Sequence, residues 1–237
     1  MEKKKNDFIA QGSILAIASI LVRVMGMIYR IPMTAIIGDK GNGFYSYAYS
    51  VYTILLLLSS YSLPLAVSKM VSAKAQLGQW RNVKRVFICA IAFAIGIGTT
   101  FGLIVLIGAQ FFTRVFFHSE LAAIALRFMA PTILIMALLG VFRGFFQGLQ
   151  NTLPTAVSQI VEGLINAIMS VVFAYFLFDF GHGMDAAGGT TDLGYAWGAA
   201  GGAIGTGAGA LAGFGAGLFY LSLSLIHISE PTRPEPI

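Results

Sequence analysis

Apolar residues dominate this chain in six long stretches, separated by short polar segments. The stretches cover about residues 9–31, 44–67, 86–112, 121–142, 154–178 and 194–221. Each is near the ~20 residues that an α-helix needs to cross a bilayer core. The polar segments between them carry turn chemistry: "GDKGNG" at 38–43, "KAQLGQWRNVKR" at 74–85, "GLQNTLP" at 148–154 and "DFGHGMDAAGGTTD" at 179–192. The pattern predicts an all-α polytopic membrane protein with six transmembrane helices and no soluble domain. The segment 74–85, with Trp80 and a basic end, reads either as a short interfacial amphipathic helix or as a solvated loop.

Composition agrees. Of the 237 residues, 57% are apolar and only 11% charged, where a soluble domain carries about 25% charged residues. An N-terminal "MEKKKNDF" before an apolar run imitates a signal peptide. The run continues well past Ala18, however, so the segment reads as a retained helix. The net charge of +5 speaks to orientation in a membrane rather than to nucleic acid. Lys3, Lys4, Lys5, Lys69, Lys74, Arg81, Lys84, Arg85 and Arg143 fall on one side of the predicted spans, against Lys40, Arg114 and Arg127 on the other. Nine against three predicts a cytoplasmic N-terminus in a plasma-membrane protein. Cys89, the single cysteine, is expected to be a small buried apolar residue.

Glycine is patterned as well. Gly201, Gly205, Gly209, Gly213 and Gly217 repeat every four residues, Gly194, Gly198 and Gly202 form a second row, and Gly140, Gly144 and Gly148 a third. Rows at i, i+4 lie on one helix face and admit a neighbouring backbone, as close packing or as a hinge.

Charges inside apolar spans are costly, and they single out candidate functional groups. Arg23 and Arg30 stand seven residues apart, so at 100° per residue they fall within roughly 20° of one face. Two guanidinium forks on one wall suit a pyrophosphate. The structural alternative has Arg30 reaching the interface beside Pro32 and Arg23 paired with Glu162. Gln159, Glu162 and Asn166 share a helical face that should point into the bundle. There Glu162 would bind a coupling cation, carry a proton or neutralise an arginine. Arg143 and Gln147, four apart, would receive a phosphate-bearing headgroup or anchor the helix end, and Lys69 has the same two readings. Asp179, His182 and Asp185 lack metal-ligand spacing and read as an outer loop. No metalloprotease, nucleophile-elbow, P-loop or paired-cysteine motif occurs, so no enzymatic activity, cofactor or metal is expected.

Residues 223–237, "LSLIHISEPTRPEPI", break with the rest. The stretch "LSLIHISEPTRP" resembles the translation of a transposon-based sequencing adapter. The expectation is that native sequence stops near residue 222, that the protein itself continues beyond it, and that the tail carries no function.

Three stretches, "QGSILAIASILVRVMGMIYRIPMTAIIG", "GFYSYAYSVYTILLLLSSYSLPLAVSKMVS" and "FRGFFQGLQNTLPTAVSQIVE", together resemble the polysaccharide-exporter branch of the MOP flippase superfamily. The nearest likeness is to its stage V sporulation protein B-like and MurJ-type lipid II flippase members. The resemblance covers residues 8 to about 221. It implies one six-helix, N-terminal lobe of a two-lobe transporter that exports a lipid-linked oligosaccharide by alternating access. The implied partners are the lipid-linked oligosaccharide diphosphate and membrane lipids, with H+ or Na+ as coupling ion and no nucleic acid. The cationic cavity role known in such flippases falls on Arg23 and Arg30, with Arg143 as a weaker candidate. The alternatives are a cation-coupled multidrug exporter of the same superfamily, which has little need of paired arginines, and a non-transporting scaffold for envelope assembly.

Overall fold

A computed structural model describes the backbone of residues 2–60, 62–188 and 192–228, and side chains over most of these from Gly12 to Leu223. Seven α-helices make up the described residues: α1 Glu2–Ile28, α2 Arg30–Ser60, α3 Leu63–Gln76, α4 Trp80–Phe117, α5 Ala122–Gly148, α6 Leu153–Gly188 and α7 Leu193–Ile228. The chain is a polytopic all-α membrane protein. Arg30–Gln76, α4, α5, Leu153–Ala186 and Leu193–Leu223 are long and apolar enough to span a bilayer, and Gly12–Ile28 is a shorter apolar helix.

Four segments differ from the sequence expectation. The first two apolar stretches are not separated by a loop over 38–43. Residues 39–43 are helical, and the turn is confined to Gly38, at φ 64°, ψ −178°. That conformation suits glycine, which has no Cβ to clash there. The expected span 44–67 is instead cut near residue 62, where Pro64 opens α3 in its first turn. Proline lacks the N–H that would continue the ladder and its ring crowds the carbonyl four residues back. Residues 74–85 form no interfacial helix and no long loop. The α3 helix ends at Gln76, Gly78 takes φ 68°, and α4 begins at Trp80.

The helix α6 runs on to Gly188, so most of the expected outer loop 179–192 is helical. The Asp185 carboxylate is buried and accepts hydrogen bonds from the backbone N–H groups of Leu193 (3.0 Å) and Gly194 (2.8 Å). It thereby satisfies two orphan donors at the start of α7, where a negative charge is also favoured by the helix dipole. His182 packs edge-on against Phe178, at 4.8 Å between ring centroids.

Cys89 also departs from expectation: it is exposed. The buried face of α4 runs through Val83, Ala94, Gly98, Val105 and Ala109. Cys89 projects roughly opposite that face, among Ile88 and Phe93, which are exposed too.

Glycine sets how closely the helices approach. A Cβ on Gly201, Gly205 or Gly209 would collide with the α6 backbone at Phe173, Ser170 and Glu162 respectively, and on Gly213 it would press on Glu162 and Ser158. The α6 and α7 backbones therefore touch along four turns. Gly217 leaves this line and faces Phe142. Gly144 admits the backbone of Pro64, and Gly148 admits Val71 and the Ser68 carbonyl, seating α3 on α5. Buried Met33, Tyr45, Leu126, Met129, Ile133 and Ala203 join α2, α5 and α7 in the main core. Residues 229–237, most of the expected non-native tail, lie outside the described residues.

Candidate functional site

The path of α1 into α2 decides where the arginines point. Backbone bonds Tyr29 N–H to Met25 O (3.1 Å) and Met33 N–H to Tyr29 O (3.2 Å) carry the helical turn across Tyr29. Arg23 and Arg30 therefore keep the seven-residue relation that places them on one face. Ile17, Leu21, Val24, Ile28 and Ile31 form a second stripe along the same helix, and all are exposed. At 100° per residue this apolar stripe lies roughly 120–140° around from the arginines, so the helix offers its aliphatic side to lipid and its cations elsewhere. The inner side of α1 rests on α6, with Val22 and Met25 against Gly163 and Ser19 Oγ at 3.5 Å from Gln159 Oε1.

The arginines open onto a cavity of about 570 Å³. Arg23, Gly26, Tyr29 and Arg30 line it from the first helical run, Tyr45, Tyr49, Tyr52 and Leu56 from α2, Glu162, Gly163 and Asn166 from α6, and Met136 and Thr206 from α5 and α7. A Cβ on Gly26 would meet nothing within 4 Å, so the space between the two arginines is open. Neither arginine has a carboxylate partner among the described residues.

Glu162 does not pair with Arg23. Its Oε2 lies 2.5 Å from Arg143 Nη2, and Arg143 Nε donates to Ser158 Oγ at 3.0 Å. Arg143 and Glu162 are 14% and 24% exposed, so each charge needs the other. Gly213 leaves room for this pair on α7. With Glu162 balanced by Arg143, the formal charge left at the cavity is that of Arg23 and Arg30. The arrangement presents two guanidinium groups, without a carboxylate partner among the described residues, in a recess between apolar helices, a setting that attracts anions.

Of the residues singled out from the sequence, Arg23, Arg30, Glu162 and Asn166 meet at this cavity. Gln159 sits one turn away against Ser19. Arg143 lines an adjoining, mostly apolar cavity of about 330 Å³ that shares Leu56 and Met136 with the first. Gln147 lines neither cavity, and Lys69 is an exposed residue of α3. Sequence reasoning missed Tyr45, Tyr49, Tyr52 and Thr206. The tyrosines follow i, i+4, i+7 spacing within "YSYAYSVY", which was a usable signal; Thr206 gave none.

Comparison with known proteins agrees with this architecture. A family model described as polysaccharide biosynthesis protein matches residues 8–215. Lipid II flippase MurJ of Bacillus subtilis (strain 168) is 27% identical over 163 residues, covering 65% of this chain and 30% of that protein. Stage V sporulation protein B of the same organism is 26% identical over 184 residues, covering 78% of this chain and 36% of that protein. The uncharacterized membrane protein YabM is 26% identical over 185 residues, covering 78% and 34%. No solved structure matches. The chain thus spans about a third of the length of the curated relatives it matches. All-helical, with helices long and apolar enough to span a membrane, and matched by one family model along most of its length, this chain belongs to the polysaccharide biosynthesis protein family.

Proposed function

We propose that this chain is the N-terminal, substrate-receiving lobe of an exporter for a lipid-linked oligosaccharide diphosphate. The observation that carries the reading is that Arg23 and Arg30, without a carboxylate partner among the described residues, share one wall of a cavity of about 570 Å³. The diphosphate is held by their guanidinium forks, which match phosphate oxygens bidentately. The polyprenyl chain stays in lipid beside the aliphatic stripe of α1. The lobe would rock against a second lobe to expose the cavity alternately to the two membrane faces. In this reading Glu162 holds Arg143 rather than carrying a coupling ion, since its charge is already matched.

The relatives' printed names favour this substrate class over a multidrug exporter: one is a lipid II flippase. The test is translocation of a fluorescent polyprenyl diphosphate oligosaccharide in liposomes containing the protein from its whole reading frame. Replacing both Arg23 and Arg30 by Ala should lower translocation by about 100-fold, from two charge-assisted contacts of roughly tenfold each, with membrane insertion unchanged. Full translocation by that variant contradicts the role of the cavity.

A further inference from the structure

One wall of the cavity is aromatic rather than cationic. Tyr45, Tyr49 and Tyr52 share a face of α2 and form a ladder. The Tyr45 and Tyr49 rings are stacked, at 5.8 Å between centroids and 18° between planes, and Tyr49 and Tyr52 lie 5.9 Å apart at 40°. Tyr45 and Tyr52 are buried, whereas Tyr49 is 38% exposed and is the rung open to the cavity. Tyr47, on the same helix, packs instead on Phe117 and lines no part of the cavity. The tyrosines at the cavity are thus set apart from those used for packing.

Polar groups lie beside the ladder. Thr206 Oγ1 is 3.2 Å from the Gly202 carbonyl oxygen and 3.4 Å from the Tyr45 hydroxyl, and either hydroxyl can donate in the second contact. The Asn166 carboxamide has Ser170 Oγ at 2.9 Å, a hydroxyl whose single hydrogen also has the Gly202 carbonyl at 3.2 Å as acceptor, and the far side of the amide borders the cavity. Other parts of the cavity are lined by Val22, Met27, Leu56 and Met136 and by the two arginines, which suit an alkyl stem and an anion. Aromatic faces with an amide donor alongside suit a ligand having an apolar C–H face edged by hydroxyls, which is a pyranose ring.

We propose that Tyr49, held by Tyr45 and Tyr52 and flanked by Asn166, forms a sugar subsite for the hexose nearest the diphosphate. The proposal rests on the lipid-diphosphate reading above. Tyr49 is the residue on which the sugar stacks, and Asn166 donates to a sugar hydroxyl.

The experiment compares two probes on the full chain in lipid nanodiscs: a short polyprenyl diphosphate, and the same lipid diphosphate bearing one N-acetylhexosamine. The wild type should bind the sugar-bearing probe about fivefold to tenfold more tightly, the worth of one aromatic contact. Tyr49→Ala should remove this preference and leave affinity for the bare diphosphate unchanged, while Tyr49→Trp retains it. Equal affinity for both probes in the wild type overturns the sugar subsite, as does a Tyr49→Ala variant that weakens both probes alike. If the bare probe still binds and Arg23→Gln releases it, the lipid-diphosphate reading survives that failure. Binding of neither probe overturns both.

Discussion

Arg143 and Glu162 carry opposite charges where a lone charge is expensive. Their contact is short, Ser158 satisfies a second guanidinium donor, and Gly213 leaves the space they occupy. Removing one partner strands the other. Arg143→Ala is therefore expected to cost about 3 kcal/mol of stability, read as lower thermal stability in detergent. Replacing both, Arg143→Met with Glu162→Gln, should recover most of that loss, because no uncompensated charge remains. Equal stability of the single variant and the wild type would remove the pair's structural role. Arg23 and Arg30 should behave in the opposite way. They have no carboxylate partner among the described residues, so Arg23→Gln should leave stability within about 0.5 kcal/mol of the wild type while weakening lipid-diphosphate binding. This contrast was only half legible in the sequence. The periodicity of one helix put Arg23 and Arg30 on one face. The partner of Glu162 lies 19 residues back, on another helix, and no spacing rule within one helix identifies it.

At the scale of elements, glycine spacing was the most informative signal and proline the most neglected. The four-residue row on α7 foretold a close helix contact, and its partner is α6, met turn by turn from Phe173 to Ser158. Gly205 is the tightest of these positions. Gly205→Leu should separate α6 from α7, lower thermal stability by well over 2 kcal/mol and disturb the cavity wall that Asn166 and Thr206 share. Gly215, where a Cβ would meet nothing within 4 Å, should accept Ala without measurable loss. Equal tolerance at both positions would contradict the packing account. Element boundaries were less legible. A hydropathy window averaged across Pro64 and hid the start of α3. The polar composition of 38–43 and 179–188 suggested loops, where the backbone is helical apart from Gly38. Asp185 explains part of the second case, because its carboxylate caps the next helix and so belongs to the fold rather than to a loop.

At the scale of the molecule, the charged groups sort to two ends. The turns at 77–79 and 149–152 share one end, where Ser72, Trp80, Leu149 and Gln150 line a common pocket. Lys69, Lys74, Arg81, Lys84 and Arg85 lie toward that end. The opposite end gathers Lys40 with Asp192 at 3.1 Å and Arg114 with Glu120 at 3.5 Å. We propose that the first end, where the cations outnumber the acids among the described residues, faces the cytoplasm, as the positive-inside rule expects. A cysteine introduced as Gln150→Cys, in a Cys89→Ser background, should resist a membrane-impermeant maleimide in intact cells, and Glu120→Cys should react. The reverse pattern would invert the orientation.

The central claim is that Arg23, Arg30 and the tyrosine ladder form one site for a lipid-linked sugar diphosphate. The most direct measurement is photo-crosslinking in membranes with a polyprenyl diphosphate oligosaccharide bearing a diazirine on its first sugar, followed by peptide mapping. The account predicts labelling within residues 22–30 and 45–52, competed by unlabelled lipid and lost in the Arg23→Ala, Arg30→Ala double variant. Labelling confined to the lipid-facing side of α4, around Phe93 and Ile107, and indifferent to competition would contradict it.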